Sequence, residues 1–543
     1  MKRNIPKHIR HADFRYRARH FATKREWTDY ATWLRRHARV SLAFLPKPNR
    51  TPLKAKVFGR VLGKGFTCEK VTFEALPGFL VTGNLFRPAE PKRKMPGILC
   101  PHGHWDDGRL HDHDPRGSVV SRCIRFAQMG AVAFSWDMVG YNDSCQLPHW
   151  TFESDEPWGL SLMSLQAWNS SRALDFLLTL PGIDAKRIGI TGCSGGGTQT
   201  FAMIAVDDRL AVAAPIAMAS FIMQGDCLCE NSPLLQIDAT TVDLTRLFAP
   251  KPLFLGSCTG DWTVNTPREE YPAVREIYAL HGAAKRVGHL QVDDGHGFNL
   301  QMRETVYGWF KRHLFGARSA SPVREGALPR PTLRERMVWW GRPKPDAVPQ
   351  AAFRKRWREH IETGLKPCLK NAASARKHLG PLLPHTLGVT LTSRETFRKR
   401  NPEGIRVAVD GDTLTVTAKR GAANLMHTVD AYTTYNRCFV GDRVHEVLAA
   451  VENAGGRKTL IGRGKAGPWC LLAGALSERV NALDVDLRGF SPTKDTAWKK
   501  HLDVPSIRQV GGLATVFAMI GKRPITLRNA TPAVRKLAAH YAR

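Results

Sequence analysis

The chain has 543 residues, more than a single hydrophobic core usually organises, so two domains with extensions are expected. A hydrophobic content of 43% with 24% charged residues excludes wholesale disorder. The 80 Lys and Arg residues outnumber the 48 Asp and Glu residues, and the net charge of +32 creates a field that attracts polyanions. No zinc-finger spacing, aromatic RNA-binding motif or basic zipper accompanies this charge, so no specific nucleic-acid partner is predicted.

Membrane and secretory features are not evident in the sequence. No apolar run reaches the length of a membrane span, and the basic first residues contain no apolar segment typical of a secretory signal. The eleven cysteines, an odd number spread over the whole chain, do not resemble a disulfide framework. Free thiols indicate a reducing compartment, so we expect a cytoplasmic location. The oligomeric state is not indicated.

Strand-like and helix-like segments alternate along the first part of the chain. Residues 1–50 predict a basic helical arm, with Trp27, Trp33 and Leu34 as candidates for docking it. The alternating pattern between residues 57 and 88 predicts two strands around a turn. The apolar runs MPGILC, AVAFSWD and RIGIT then alternate with helical stretches. This order favours an α/β protein with a doubly wound, mostly parallel sheet, which binds ligands at the carboxyl ends of its strands.

Changes in composition divide the chain into predicted segments. These are the helical arm (1–50), a catalytic domain (51–318), a basic linker with helices (319–380) and a smaller, degenerate α/β half-domain (381–543). The last segment repeats part of the catalytic domain, because LIGRGKAG aligns with ITGCSGGG. In this alignment Gly464 stands where the first copy has Ser194, so we expect an internal duplication whose second copy is catalytically inactive.

The motif Gly192-Cys193-Ser194-Gly195-Gly196 predicts a nucleophile. It lies between an apolar strand and an apparent helix, which is the context of a turn that raises a serine hydroxyl above a sheet. Small residues on both sides suit this tight, strained turn. A phosphate-binding loop is the alternative, but neither a G-x-G-x-x-G pattern nor a Walker lysine is present.

A serine nucleophile needs a base that takes its proton and an acid that orients the base. The strand-like run KPLFLGSC is followed by Asp261, and a later short strand ends near His296. Their order after Ser194, each on a loop that follows a strand, predicts Asp261 as the orienting acid and His296 as the general base. Asp293 or Asp294 is an alternative acid.

An oxyanion hole needs two backbone N–H donors. Gly195, directly after the nucleophile, is expected to supply one, and His104 or Trp105 in the loop after MPGILC the other. The side chains of this loop, such as His102, are candidates for shaping a substrate pocket, and so is Trp262 beside the predicted acid.

The same loop also raises the alternative of a metallohydrolase. His102, His104, Asp106, Asp107, His111 and His113 form a dense run of potential metal ligands. It partly resembles the HxHxDH run of metallo-β-lactamase-type hydrolases, but Asp107 stands where the third histidine should be. A metal would also leave the serine, acid and histidine series unexplained. The sequence is therefore interpreted as that of an enzyme without metal or cofactor.

Five motifs together resemble a known group: FEALPGFLVTGNLFRP, LCPHGHWDDGR, TGCSGGGTQT, GDCLCEN and DDGHGFN. They are similar to those of bacterial α/β-hydrolases of the acetyl xylan esterase and dienelactone hydrolase-like kind, in the prolyl oligopeptidase superfamily. The resemblance covers roughly residues 25–315. It implies an α/β-hydrolase fold with Ser194, Asp261 and His296 as the triad, and a pocket bordered by the GDCLCEN loop with Cys229 and Glu230.

These observations predict a serine esterase that cleaves carboxylic esters through an acyl-enzyme, with an acylated carbohydrate or similar small ester as substrate. A peptidase or amidase that uses the same triad is the alternative. A third hypothesis makes the basic C-terminal half a binding module for polyanions.

Overall fold

Nine strands form the larger of two sheets in the computed structural model, which describes residues 5–6, 8–112, 117–389, 403–419, 424–426 and 428–542. The strands are β1 (Lys56–Gly63), β2 (Phe66–Leu76), β3 (Phe79–Pro88), β4 (Met95–Leu99), β5 (Val132–Trp136), β6 (Ile183–Cys193), β7 (Val212–Ile216), β8 (Leu253–Gly260) and β9 (Val287–Gly295). Their order is β1-β2-β3-β5-β4-β6-β7-β8-β9. The pairs that involve β1, β2 and β3 are antiparallel, and all the others are parallel. The predicted mostly parallel sheet is thus confirmed.

Helices cover both faces of this sheet. They are α1 (Lys24–Ser41), α2 (Val119–Gln128), α3 (Leu162–Thr179), α4 (Gly195–Val206), α5 (Thr241–Arg246), α6 (Glu270–Leu280) and α7 (Leu300–Phe315). Helices α2 and α7 pack together on one face, where the rings of Phe126 and Tyr307 lie 5.1 Å apart. Helices α3 and α4 bury the other face. Because both faces are covered, β4, β5 and β7 are buried along their whole length, which explains their continuous apolar runs.

Within the predicted helical arm, the described residues contain the helix α1, which packs against the rest of the protein. Thr23 caps α1 by accepting a hydrogen bond from the backbone N–H of Glu26. Trp27 and Leu34 are buried, Trp33 is half-buried, and α1 lies against α4. The arm is therefore part of the main core.

A second sheet of five strands follows in the C-terminal half. It consists of β10 (Ile405–Asp410), β11 (Thr413–Ala418), β12 (Lys458–Gly462), β13 (Val480–Asp486) and β14 (Ile525–Arg528), in that order. β10 and β11 are antiparallel, and the remaining pairs are parallel. The helices of this half are Tyr432–Tyr435, Phe439–Ala454, Gly467–Leu476, Asp495–His501, Gly512–Ile520 and Pro532–Tyr541. The second, smaller α/β unit is confirmed.

Among the described residues between the two sheets, the helices are Leu333–Arg336, Gln350–Leu365, Ala372–His378 and Leu383–Thr386. Short 3-10 helices lie at Gly108–Leu110, Glu156–Trp158, Ala284–Arg286, Gly380–Leu382 and Gly464–Ala466. One continuous apolar core includes residues of both sheets. The side chain of Gln509 ties the C-terminal half to the N-terminal one by donating to the carbonyl oxygens of Val40 at 3.0 Å and Leu45 at 2.7 Å. The boundaries of the four segments given in the sequence analysis stay predictions.

The two sheets share a strand–turn–helix–strand order around the aligned glycine-rich turns. β6, Ser194, α4 and β7 follow one another in the first, and β12, Gly464, the helix Gly467–Leu476 and β13 in the second. Ser194 has a φ of 58° and Gly464 a φ of 56°. The duplication itself stays a hypothesis drawn from the sequence. No helix in the described part of the chain combines the length and apolarity that crossing a membrane requires.

Candidate active site

Ser194 lies at the sharp turn between β6 and α4. Its φ of 58° and ψ of −126° lie in a region that residues with a side chain rarely adopt, so the turn is strained as a nucleophile turn requires. Its backbone N–H donates to the carbonyl oxygen of Ile216 on β7 at 3.1 Å, and its carbonyl oxygen accepts from Thr198 in α4. These two hydrogen bonds fix the turn between the sheet and the helix.

The loop after β4 crosses this turn at very short range. A Cβ placed on Gly103 would lie 2.8 Å from the carbonyl oxygen of Cys193 and 3.0 Å from Cβ of Ser194. Only glycine allows such an approach. The loop that carries His104 and Trp105 is thereby placed directly beside the serine.

Asp261 and His296 form the expected pair. Asp261 follows β8 and His296 follows β9, and Nδ1 of His296 lies 2.7 Å from Oδ2 of Asp261. The aspartate side chain is 2% exposed, and its other oxygen accepts hydrogen bonds from the backbone and hydroxyl of Thr263. A carboxylate held in this way binds the Nδ1–H tautomer of the imidazole and leaves Nε2 able to accept a proton.

The alternative acids point elsewhere. Oδ1 of Asp293 accepts a hydrogen bond from the hydroxyl of Thr259. Asp294 accepts from the backbone N–H of Gly295 and from Nδ2 of Asn299, so it shapes the loop that carries the histidine. The structure therefore brings Asp261, and neither of its rivals, to the imidazole of His296.

A cavity of about 310 Å³ connects the predicted catalytic residues. Ser194, His296, His104 and Trp105 line it, together with Trp262. The indole of Trp262 lies 4.3 Å from the imidazole of His296, measured between ring centres. Gly195 begins α4 directly after the serine, where the first N–H groups of a helix have no acceptor within the helix. The candidate oxyanion donors Gly195, His104 and Trp105 thus all lie around Ser194.

His102 is buried and is not among the described residues that line this cavity. Its Nδ1 lies 2.7 Å from the carbonyl oxygen of Gly103, and its Nε2 accepts from the backbone N–H of Met138 at 2.9 Å. These two bonds define a neutral tautomer that donates from Nδ1. Burial lowers the pKa of His102 to about 3, so it stays neutral and links the β4 loop to the β5 loop.

Asp226 and Cys227 line the cavity, and both belong to the GDCLCEN loop that the family resemblance placed at the pocket. Trp150 also lines it, and the sequence did not single out this residue. Trp150 is 65% exposed at the rim. They lie on the loops after β5 and β7, and the position of these loops at the carboxyl ends of parallel strands was the available signal. Sγ of Cys227 contacts Nε2 of His149, which is 78 positions away in the sequence, and no local pattern reveals such a contact.

The β7 loop meets the β4 and β5 loops in a group that we call the His–Cys cluster: His104, His149, Cys227 and Cys229. Nε2 of His104 lies 3.0 Å from Sγ of Cys229, and Sγ of Cys227 lies 3.3 Å from Nε2 of His149. Burial lowers the pKa of His104, but the nearby Cys227 thiol and the carboxylate of Glu230 outweigh burial and raise the pKa overall. Burial also raises the pKa of Glu230 to about 7.

The potential metal ligands in the loop after β4 do not meet around a common site, as far as this loop is described. His102 binds backbone groups, Asp106 is exposed, and His111 pairs with Asp107 at 2.7 Å while stacking on Trp105. His113 lies outside the described residues. Only His104 of this run joins the His–Cys cluster among the described residues.

The strand order, the strained serine turn and the loops at the carboxyl ends of β6, β8 and β9 define an α/β-hydrolase. Known proteins agree with this class. A family model described as glucuronyl esterase of fungi matches residues 140–225. The solved structure of methylesterase BT1017 is 27% identical, with a TM-score of 0.53 over 64% of this chain and 77% of that one. The expected similarity to the esterase group of α/β-hydrolases is thus confirmed.

Two other similar structures are more distant. An acetyl xylan esterase from Paenibacillus sp. R4 and a glucuronoyl esterase from Solibacter usitatus are each 16% identical to this chain, with TM-scores of 0.38 and 0.41. Both alignments cover 55% of this chain, and 97% and 98% of the other chains. None of the curated proteins matches the sequence.

Proposed function

We propose that this protein is a serine esterase that cleaves carboxylic esters through an acyl-enzyme intermediate. The observation that carries the proposal is that the Asp261–His296 pair and the strained Ser194 face one cavity. In this reaction Nε2 of His296 takes the proton of Ser194 Oγ while the oxygen attacks the ester carbonyl. The imidazolium then gives that proton to the leaving alcohol.

The second half of the reaction releases the acid. Water loses a proton to His296 and attacks the acyl group on Ser194, and the serine regains its proton when the acid departs. In both halves the backbone N–H of Gly195, with that of His104 or Trp105, stabilises the negative carbonyl oxygen. Asp261 stabilises the imidazolium without taking its proton.

The cavity supports an ester of carbohydrate type as the substrate. The indoles of Trp105, Trp150 and Trp262 offer flat apolar faces on which the C–H face of a sugar ring can pack. The described residues that line the cavity include no Lys or Arg, which favours a substrate without a free carboxylate. A volume near the lower end of the range for ligand pockets suits a small ester better than an extended peptide. The name of the methylesterase structure points to the same bond type.

Covalent labelling with a fluorophosphonate tests the proposed nucleophile. The wild-type protein is expected to be labelled at Ser194, and a Ser194→Ala variant is not. Absence of label from wild-type Ser194 in folded protein would contradict a serine mechanism.

A substrate panel tests the bond that is cleaved. It contains p-nitrophenyl acetate, an acetylated sugar, the methyl ester of a uronic acid and a peptide p-nitroanilide. We expect turnover of the esters and little of the anilide, with all activity lost in Ser194→Ala. Faster turnover of the anilide would favour the peptidase alternative.

A further inference from the structure

The four side chains of the His–Cys cluster are arranged as metal ligands are. One atom from each residue can be chosen so that all four lie within 4.8 Å of one another. In a tetrahedral site with zinc–sulfur bonds of about 2.3 Å and zinc–nitrogen bonds of about 2.0 Å, neighbouring ligand atoms are about 3.5 Å apart. The contacts of 3.0 Å between His104 and Cys229 and 3.3 Å between Cys227 and His149 are close to that spacing. The side chains could enclose an ion with only small movements.

The donor set selects the kind of ion. Two imidazole nitrogens and two sulfurs are the ligands that Zn²⁺ prefers, whereas Mg²⁺ and Ca²⁺ bind oxygen. All eleven cysteines are free, so neither Cys227 nor Cys229 is used in a disulfide. Both sulfurs therefore remain available as ligands.

The surroundings of the cluster orient the imidazoles. Nδ1 of His149 lies 2.7 Å from the carbonyl oxygen of Val139, so it carries the proton and directs the Nε2 lone pair at the sulfurs. Nδ1 of His104 faces Oε1 of Glu230 at 3.7 Å, and Glu230 is buried. A carbonyl or a carboxylate behind a histidine is the usual outer contact of a metal-binding imidazole.

We propose that the His–Cys cluster binds one Zn²⁺ ion through Nε2 of His104, Nε2 of His149, Sγ of Cys227 and Sγ of Cys229. The ligands come from the loops after β4, β5 and β7, so the ion joins three loops around the cavity. This site replaces the metal-free interpretation of the sequence, and it differs from the ligand run considered there. It does not depend on the proposed esterase function.

The ion would act as a positioning element for the cavity. The imidazole of His104 packs on the nucleophile turn, since a Cβ placed on Gly195 would lie 3.1 Å from Cε1 of His104. Coordination of His104 therefore fixes the loop that carries a candidate oxyanion donor. Removal of the ion is expected to loosen this loop while Ser194, Asp261 and His296 keep their own contacts.

Metal analysis of the full chain tests the site. The protein is produced without a metal-affinity tag, dialysed against a weak chelator and analysed by elemental mass spectrometry. We expect about one zinc per chain, as a four-ligand site would hold. Replacement of the zinc by Co²⁺ should give the thiolate-to-cobalt charge-transfer absorption and the visible bands of tetrahedral coordination.

Variants assign the ligands. Cys227→Ser and Cys229→Ser should each lower the zinc content and weaken the thiolate-to-cobalt band, and the double variant should abolish the band. Cys145→Ser is the matched control, because Cys145 lies on the same loop as His149 but outside the cluster. It should retain both signals. Circular dichroism of each variant shows whether it is folded.

Three results would overturn the proposal. The first is a folded wild-type protein that neither contains zinc nor binds Zn²⁺ or Co²⁺ more tightly than the double variant. The second is a different metal in the purified protein, and the third is a disulfide between Cys227 and Cys229 found by thiol titration. If zinc is bound but the ester panel shows no turnover, the site stands and the esterase proposal fails.

Discussion

At the scale of single residues, the proposed chemistry depends on how Asp261 holds His296. The carboxylate is buried, binds Nδ1 at 2.7 Å and is itself fixed by Thr263. An Asp261→Asn variant would present an amide that can donate to Nδ1, which favours the wrong tautomer of the imidazole. We expect kcat to fall by about 10³ to 10⁴ with little change in the fold. Steady-state kinetics on the best ester of the panel measure the effect.

Asp293→Asn and Asp294→Asn are the matched controls for this prediction. Each removes one negative charge, as Asp261→Asn does, and both residues lie at the end of β9 just before His296. Asp293, however, binds Thr259, and Asp294 binds Gly295 and Asn299. Their kcat should stay much closer to the wild-type value. If Asp293→Asn lost as much activity as Asp261→Asn, the assignment of the acid would be wrong.

At the scale of elements, α1 joins the connecting segment through two buried histidines. Nε2 of His37 on α1 lies 2.7 Å from the carbonyl oxygen of Leu234, and Nδ1 lies 3.2 Å from Nδ1 of His385. One consistent arrangement has Nε2–H of His37 donating to Leu234 while Nδ1 of His37 accepts a hydrogen bond from Nδ1–H of His385. Burial lowers the pKa of His37 to about 4, and it lowers that of His385 well below its usual value. Both rings are therefore neutral in the fold.

This pair makes the protein sensitive to acid. The unfolded chain protonates both histidines below about pH 6.5, whereas the folded protein resists protonation of His37 until about pH 4. The contribution of the neutral His37 to the free energy of unfolding is therefore fully present above pH 6.5, and it is lost as the pH falls towards 4. For His37 the loss amounts to about 3 kcal/mol. Urea unfolding at a series of pH values measures it.

A His385→Asn variant tests the origin of this dependence. The asparagine amide can still donate to Nδ1 of His37 but cannot titrate, so the loss of stability between pH 7 and pH 4 should become smaller. His378→Asn, on the exposed side of the preceding helix, is the control and should follow the wild-type curve. If the free energy of unfolding of His385→Asn fell with decreasing pH as steeply as that of the wild type, other groups would cause the acid sensitivity.

How much of the structure could be predicted differs between elements and contacts. MPGILC, AVAFSWD and RIGIT were predictable as strands because a strand buried on both faces must be apolar throughout. Ser194 was predictable because its strained turn demands glycines next to it in the sequence. The His–Cys cluster was not, since His149 and Cys227 are 78 positions apart and meet only when the β5 and β7 loops fold over the cavity.

At the scale of the whole molecule, the C-terminal half supports the loop after β7, which lines the cavity. The hydroxyl of Tyr435 lies 2.5 Å from Oδ1 of Asn231 and 3.2 Å from the carbonyl oxygen of Gly225. Nδ2 of Asn231 in turn donates to the carbonyl oxygens of Gly225 and Cys227. The loop that carries Cys227 is thus held from the second half. The C-terminal half therefore supports the cavity from outside, through a hydrogen bond to one of the loops that line it.

A Tyr435→Phe variant measures this support. It leaves the buried Oδ1 of Asn231 without its donor, a change that costs about 1–3 kcal/mol locally. We expect weaker retention of Zn²⁺ and lower ester turnover, while the fluorophosphonate still labels Ser194. Tyr541→Phe is the matched control, because its hydroxyl also binds a carbonyl oxygen, that of Leu369 in the connecting segment, and neither residue lines the cavity. Equal zinc retention and turnover in the two variants would show that the C-terminal half does not act on the cavity through Tyr435.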